Sequence, residues 1–223
     1  LDGCKAQWLN AHMPGPKLPP FETDHRLPSR CDIVVIGAGI VGVSTALELA
    51  ERGFSVVLCE KGQIAGEQSS RNWGWVRISQ RDRREIQLMI DSIRIWEGLD
   101  ARIGRATGYR RTGILFAAPN ERSIAANEKW AEHLRAHQIE TGVITGQQLA
   151  EQLPGYKGQM TAGLFTPIDG RAEPQMAALA IAEAAREAGA IVVTNCAVRS
   201  VDVEAGRVAG VITEKGRVKC ERA

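Results

Sequence analysis

No apolar run in this sequence approaches the length of a membrane span, and no basic-then-apolar pattern marks its start. Neither a transmembrane segment nor a secretory leader is therefore expected. A charge excess is missing as well, because 28 Lys and Arg stand against 26 Asp and Glu. That balance argues against nucleic acid or an anionic membrane surface as a partner. The five cysteines, at positions 4, 31, 59, 196 and 220, form no CxxC pair. Cys31, Cys59 and Cys196 border or occupy apolar runs, where a free thiol serves as a small apolar residue. A reducing compartment, the cytoplasm, is the expectation. Internal repeats are absent too. Prolines at 14, 16, 19, 20 and 28 leave little room for regular structure in residues 1–30. Trp8 and Phe21 are the residues expected to pin that arm.

The chain is organised around residues 31–61. An apolar, β-branched run at 32–36 reads as a buried strand. Gly37-Ala38-Gly39-Ile40-Val41-Gly42 follows at once, and a helical pattern then runs to Arg52. Val43, Ala46, Leu47 and Ala50 share one face of that helix, and Glu48, Glu51 and Arg52 the other. Gly53 supplies the stop, and residues 55–59 form a second apolar strand ending at Glu60. The three glycines stand where a dinucleotide needs them. Gly37 permits the turn, Gly39 lets backbone approach a pyrophosphate, and Gly42 allows helix and strand to pack closely. A pyrophosphate would sit at the helix N-terminus. Glu60, 18 residues past Gly42, is placed to hydrogen-bond a ribose hydroxyl and to repel a 2′-phosphate. The nucleotide is FAD or NAD.

Further along, a loop rich in hydrogen-bonding residues runs from 62 to 77. Helices are expected at 82–99, with Ile86, Met89, Ile90, Ile93 and Trp96 inward, and at 121–137, with Ile124, Trp130 and Leu134 inward. Residues 112–118 and 162–167 read as strands. Thr145, Gly146, Gln147 and Gln148 match a capping box for a short helix reaching Leu153. Pro174 suits the first turn of a helix capped by Gly189. Residues 191–195 read as a third parallel strand beside 32–36. Strands at 198–204, 207–214 and 217–220 form an antiparallel meander with turns at Ala205-Gly206 and Lys215-Gly216. An insertion of about 130 residues within a nucleotide-binding sheet departs from a simple NAD domain and points to a flavoprotein.

In VVIGAGIVGVSTALELAERGFSVVLCEK, GEQSSRNWGWVR and the later Ala162–Thr166 stretch continuing through Pro167-Ile168-Asp169-Gly170-Arg171, the sequence resembles the D-amino-acid oxidase/glycine oxidase superfamily. These are FAD-dependent oxidoreductases that include sarcosine oxidases and D-amino-acid dehydrogenases. The resemblance spans about residue 32 to the end. It implies an α/β protein, with a Rossmann-like FAD-binding domain of three parallel strands plus a β-meander. Residues 1–30 would be the arm, 31–80 and 171–223 the discontinuous FAD-binding domain, and 81–170 part of an inserted α+β substrate domain. FAD would be held by Gly37, Ala38, Gly39, Ile40 and Gly42 of the glycine loop, and by Glu60 and Lys61. Ser69, Ser70, Arg71, Asn72, Gly74 and Trp75 of a second flavin loop, and the backbone of Val198, would join them. Several relatives attach flavin through a histidine in that second loop. Here no histidine lies between His25 and His133, so non-covalent FAD is implied.

The implied activity is oxidation of a small amine or amino acid, such as a D-amino acid, glycine derivative or opine, by hydride transfer to flavin N5. No acid–base pair presents itself, which suits that chemistry. The electron acceptor is left open. The family's further flavin-domain strand and its carboxylate-binding arginine fall beyond residue 223. The chain alone is therefore expected to be inactive, with an incomplete sheet that exposes strand edge. A missing C-terminal half or a partner chain would complete it. The competing readings are a non-catalytic flavin-binding subunit and an NAD-dependent dehydrogenase.

Other residues carry paired readings. His133 and His137, four apart on a helix, have zinc-ligand spacing, but no HExxH pattern accompanies them and a solvated face is the expectation. Trp73 and Trp75 either line a flavin or substrate face or pack as core aromatics. Arg71 and Arg77 either approach the cofactor or are solvated. Arg81, Arg83 and Arg84 read as a solvated helix start, and Asp169 as a turn residue.

Overall fold

The computed structural model describes residues 18–223. Trp8, Cys4 and the first prolines of the arm lie outside the described residues. The chain divides into two compact units, one running up to Asn72 and resuming at Pro174–Ala223, the other Trp73–Glu173. The sequence reading sets the seams at 80/81 and 170/171 instead. The difference follows from a short antiparallel pair, Trp75–Val76 with Gly170–Arg171, which ties both ends of the insertion into the second unit.

In the first unit, β1 (Ile33–Ile36), α1 (Ile40–Glu51) and β2 (Val56–Cys59) form the expected βαβ. The buried face of α1 is Val43, Ala46, Leu47 and Ala50, and Gly53 closes the helix at φ +84° with its N–H on the Ala50 carbonyl. All four residues of β2 are buried, as in a parallel strand covered on both faces. The chain returns through α5 (Pro174–Glu187) into β8 (Ile191–Val193), with β3 to β7 and α2 to α4 belonging to the second unit.

The strand order is β1-β2-β8. β8 pairs with β2, Val57 opposite Ile191, and not with β1 as expected. Two right-handed crossovers that step in the same direction must place both helices on one face, and α1 and α5 do pack against each other. The other face is covered by the meander β9 (Val198–Glu204), β10 (Arg207–Thr213) and β11 (Gly216–Lys219). Val34, Val57, Cys59 and Val193 of the sheet share one buried cluster with Cys196, Val211, Val218, Cys31 and Cys220. Each fully buried valine there contributes roughly 1.5–3 kcal/mol. Ala205 and Gly206 both take positive φ, at 49° and 76°, the signature of a type I′ hairpin turn.

The expectation of exposed strand edges is corrected. Along β8, Asp24 N–H donates to the Val192 carbonyl at 2.9 Å, Val192 N–H to the Asp24 carboxylate at 2.7 Å, and Thr194 N–H to Thr23 Oγ1 at 2.9 Å. Along β1, Val34 N–H donates to the Arg222 carbonyl at 3.0 Å. Segments with too few residues to register as strands thus meet both outer edges at these positions. Phe21 holds the arm as expected, with the Arg186 guanidinium 5.7 Å from its ring.

The second unit contains β3 (Trp75–Val76), α2 (Ile86–Ile103), β4 (Ile114–Ala118), α3 (Glu121–Arg135), β5 (Gly142–Thr145), α4 (Gly146–Gln152), β6 (Ala162–Thr166) and β7 (Gly170–Arg171). β4, β6 and β5 form an antiparallel sheet in that order, against which α3 packs. α2 begins later than expected because Arg83–Glu85 forms a 3₁₀ turn capped by Asp82, and it continues past Leu99 because Ile103 extends the apolar stripe. Gly104 ends it in the left-handed conformation at φ +65°. The capping box is not made: Thr145 is the N-cap of α4, but its side chain accepts no backbone hydrogen bond.

Candidate functional site

The site is built from backbone first. Gly37 turns at φ +95° and donates its N–H to the Cys59 carbonyl at 2.8 Å, closing the end of β1 onto the end of β2. A Cβ on Gly42 would lie 1.8 Å from the Gly37 carbonyl oxygen, so a glycine there lets α1 start hard against the turn. Gly39 is the N-cap and brings no side-chain cap, and the first turn of α1 carries no acidic residue. The positive end of the helix dipole is thus left for an external anion. The Ser69 hydroxyl accepts the Ile40 N–H at 2.9 Å, and a Cβ on Gly39 would stand 3.0 Å from it. Beside this turn, Ile36 is 49% and Val41 77% exposed, apolar surface that a bound nucleotide would cover.

Glu60 is buried and accepts Ala38 N–H and Gly62 N–H, both at 2.8 Å, one on each oxygen. An ionised carboxylate offers about four lone-pair positions, so each oxygen keeps capacity for a ribose hydroxyl. These residues fit a dinucleotide.

The second loop is held mainly by itself. Lys61 pairs with Glu67 at 3.3 Å. Arg71 donates to the Gly66 carbonyl at 3.0 Å and faces Glu67 at 3.7 Å, so its charge braces the loop. The Asn72 amide donates to the carbonyls of Gln68 and Ser69. The buried Ser70 hydroxyl donates to the Glu67 carbonyl at 3.2 Å. Gln175, on the first turn of α5, donates to the Ser70 carbonyl at 3.1 Å. That brace was missed, and nothing in sequence but its place beside Pro174 signals it. Val198 opens β9 opposite Thr213 and packs, half-buried, on the sheet cluster.

Gly74 and Trp75 belong to the second unit. Gly74, at φ +69°, accepts the Ala172 N–H at 2.8 Å, and Trp75 pairs with Arg171. Trp73 and Trp75 are 80% and 42% exposed, which excludes the core-aromatic reading. Their rings lie 5.1 Å apart, and Trp75 meets Phe116 nearly edge-on at 5.5 Å. Arg77 places its guanidinium 5.6 Å from the Trp75 ring and 5.3 Å from the Phe116 ring.

Asp169 sits in the expected turn, its N–H on the Thr166 carbonyl, but it is wholly buried. Its carboxylate accepts Ile78 N–H at 2.7 Å, Ser79 N–H at 3.3 Å and the Ser79 hydroxyl. Burial raises its pKa against the pull of these hydrogen bonds. His133 Nε2 lies 3.3 Å from Arg83 Nη1, in an open groove of about 840 Å³ that Arg81, Arg84, Lys129 and Trp130 also line.

A glycine turn aimed at a helix N-terminus and a buried carboxylate at the end of the next strand define a dinucleotide-binding protein of the Rossmann class. The chain belongs to the DAO family, FAD dependent oxidoreductase, whose profile matches residues 32–223. The cofactor of this family is FAD, which removes the NAD alternative. Among curated relatives, it is 27% identical over 197 residues to the mitochondrial pyruvate dehydrogenase phosphatase regulatory subunit of Mus musculus, covering 87% of this chain and 22% of that protein. It is 26% identical over 210 residues to mitochondrial dimethylglycine dehydrogenase of Homo sapiens, covering 93% and 24%. Among solved structures, L-amino acid deaminase from Proteus myxofaciens in complex with anthranilate superposes with a TM-score of 0.86 at 31% identity, covering 92% of this chain and 47% of that one. The chain thus spans about a quarter of the length of these two curated relatives. No helix among the described residues is long and apolar enough to cross a membrane.

Proposed function

We propose that this chain holds FAD non-covalently and forms the nucleotide-binding portion of an enzyme that oxidises a small amine or amino acid. The observation that carries the reading is the junction of Gly37, Gly39 and Gly42 with the buried Glu60 carboxylate. Backbone N–H groups at the start of α1 face the pyrophosphate, and Glu60 accepts from the ribose. Lys61, Ser69, Ser70, Arg71 and Asn72 act as the second loop's contribution, and Val198 meets the adenine. The chemistry supplied by FAD when bound is acceptance of a hydride at N5 from the carbon bearing the amine, and the resulting imine hydrolyses. The chain's task is to bind, orient and exclude water.

The substrate class is supported by relatives named dimethylglycine dehydrogenase and L-amino acid deaminase, the latter holding anthranilate. Four buried free thiols support a reducing compartment. A second reading, a non-catalytic flavin-binding subunit, is favoured by the relative named as a regulatory subunit. Acid precipitation of the purified protein tests the first: flavin should appear in the supernatant, and colour retained in the pellet would refute non-covalent binding. Anaerobic bleaching of the bound flavin by amino acids, in the longer protein of which this chain would be the nucleotide-binding portion, decides between enzyme and subunit.

A further inference from the structure

The open groove of about 840 Å³ lies within the second unit and has two walls. One is the chain that leads into the 3₁₀ turn Arg83–Glu85, the other the face of α3 that carries Lys129, Trp130 and His133. Both walls are tied together. The Gln80 amide donates to Oδ1 of the buried Asn127 at 2.9 Å while Gln80 holds φ +58°, a left-handed conformation disfavoured for a residue with a Cβ. Arg83 Nη1 meets His133 Nε2 at 3.3 Å. The charge of the groove is only half matched. Arg84 pairs with Asp82 at 2.6 Å and Arg81 with Glu85 at 3.2 Å. Hydrogen bonds from Arg84, and more weakly the charge of Arg83, hold Asp82 below the usual carboxylate range. Among the described residues no carboxylate forms an ion pair with Arg83 or Lys129. A guanidinium only donates, so the ring nitrogen that Arg83 meets accepts as part of a neutral imidazole. Lys129 and His133, four apart on α3, are neighbours on one helix face, so Arg83, His133 and Lys129 follow one another across the groove.

We propose that Arg83 and Lys129, with His133 beside them, form a binding site for a phosphate monoester. A carboxylate brings one charge and two oxygens and leaves one of the two cations unmatched. A phosphate monoester brings about −1.5 to −2 charges at pH 7 and three acceptor oxygens, enough to meet both cations in charge-assisted hydrogen bonds. The site uses none of the residues assigned to FAD and stands independently of the flavin reading. A small phosphorylated metabolite and a phosphorylated side chain of a partner protein both offer this group.

Calorimetric titration of the full chain at pH 7.5 tests it with three probes: phenyl phosphate, a short alanine peptide bearing one phosphoserine, and the same peptide unphosphorylated. At least one phosphorylated probe should bind tenfold or more tightly than the unphosphorylated peptide. Tighter binding of phenyl phosphate assigns the site to a metabolite, and tighter binding of the phosphopeptide assigns it to a partner chain. Arg83→Gln and Lys129→Gln, both at exposed positions, should each weaken the better probe about tenfold. Arg122→Gln, which removes the same charge from α3 outside the groove, should leave it within twofold. Failure of both phosphorylated probes to bind, or equal binding of the unphosphorylated peptide, would overturn the assignment. Binding that survives both groove substitutions would overturn it as well, because the phosphate would then sit elsewhere on the chain.

Discussion

Asp169 is wholly buried yet bears a carboxylate, and everything around it explains why that is tolerated. Two backbone N–H groups and a hydroxyl converge on its oxygens from the segment after β3, while its own backbone bonds Thr166 and Gly113. It fastens the β6–β7 turn to the start of the helical layer. A buried donor left without a partner costs about 1–3 kcal/mol. Asp169→Ala orphans two backbone donors, so urea denaturation should show a loss of about 2–5 kcal/mol. Asp169→Asn, which keeps one acceptor oxygen, should lose less. An alanine variant within 0.5 kcal/mol of the parent, roughly the scatter of surface changes, would show that the turn stands without this bond. From sequence, Asp before Gly reads as a turn residue. Its burial depends on Ile78 and Ser79, 90 or so positions away in the chain, and no local pattern carries that. Arg77 and Trp75 were visible as candidates in the same way, whereas Phe116, one of five residues in an ordinary strand, was not.

At the scale of elements, local chemistry was legible and strand neighbours were not. The glycine turn, the faces of α1 and the hairpin turns follow from side-chain period and from glycine's access to positive φ. Whether β8 lies beside β1 or β2 depends on the direction of the second crossover, which an insertion of this length hides. β3 and β7 pair over two residues each, too few to leave a period. The glycine loop offers a test that separates architecture from binding. In Gly42→Ala the new Cβ meets a backbone oxygen at 1.8 Å, which nothing flexible can relieve. Overpacking of this kind costs about 1–3 kcal/mol or more. In Gly39→Ala the neighbour is the Ser69 hydroxyl at 3.0 Å, a side chain able to yield, and the N-cap φ of −74° suits alanine. Thermal melts should therefore show a lower Tm for Gly42→Ala and a nearly unchanged Tm for Gly39→Ala. Flavin absorbance should be diminished in both. Full flavin content in a folded Gly39→Ala protein would mean that backbone does not approach the pyrophosphate there.

For the whole molecule, the sequence revealed that a nucleotide-binding sheet is interrupted and resumed, but set the seams a few residues away from where backbone pairing puts them. The thiols link composition to global stability. Cys31, Cys59, Cys196 and Cys220 all sit in the cluster between the parallel sheet and the meander. Burial, reinforced by Cys220, pushes the Cys31 thiol up to about 11. Burial, reinforced by Cys196, pushes Cys59 up to about 12, and burial raises Cys220 as well. An unfolded chain releases these protons near pH ~8.5, while the folded chain holds them. Above that pH the unfolded state binds fewer protons, so stability must fall as pH rises. The contribution is fully present below about pH 8 and is lost progressively towards pH 11–12. Urea midpoints measured from pH 7.5 to 9, about a unit below the ordinary pKa of tyrosine and lysine, should decline steadily. Cys59→Ala, though less stable at pH 7.5 for want of the sulfur, should show a shallower decline because one of the titrating groups is gone. A parent protein whose midpoint is flat to pH 9, or a variant with an undiminished slope, would place these thiols in contact with water rather than inside the sheet–meander core.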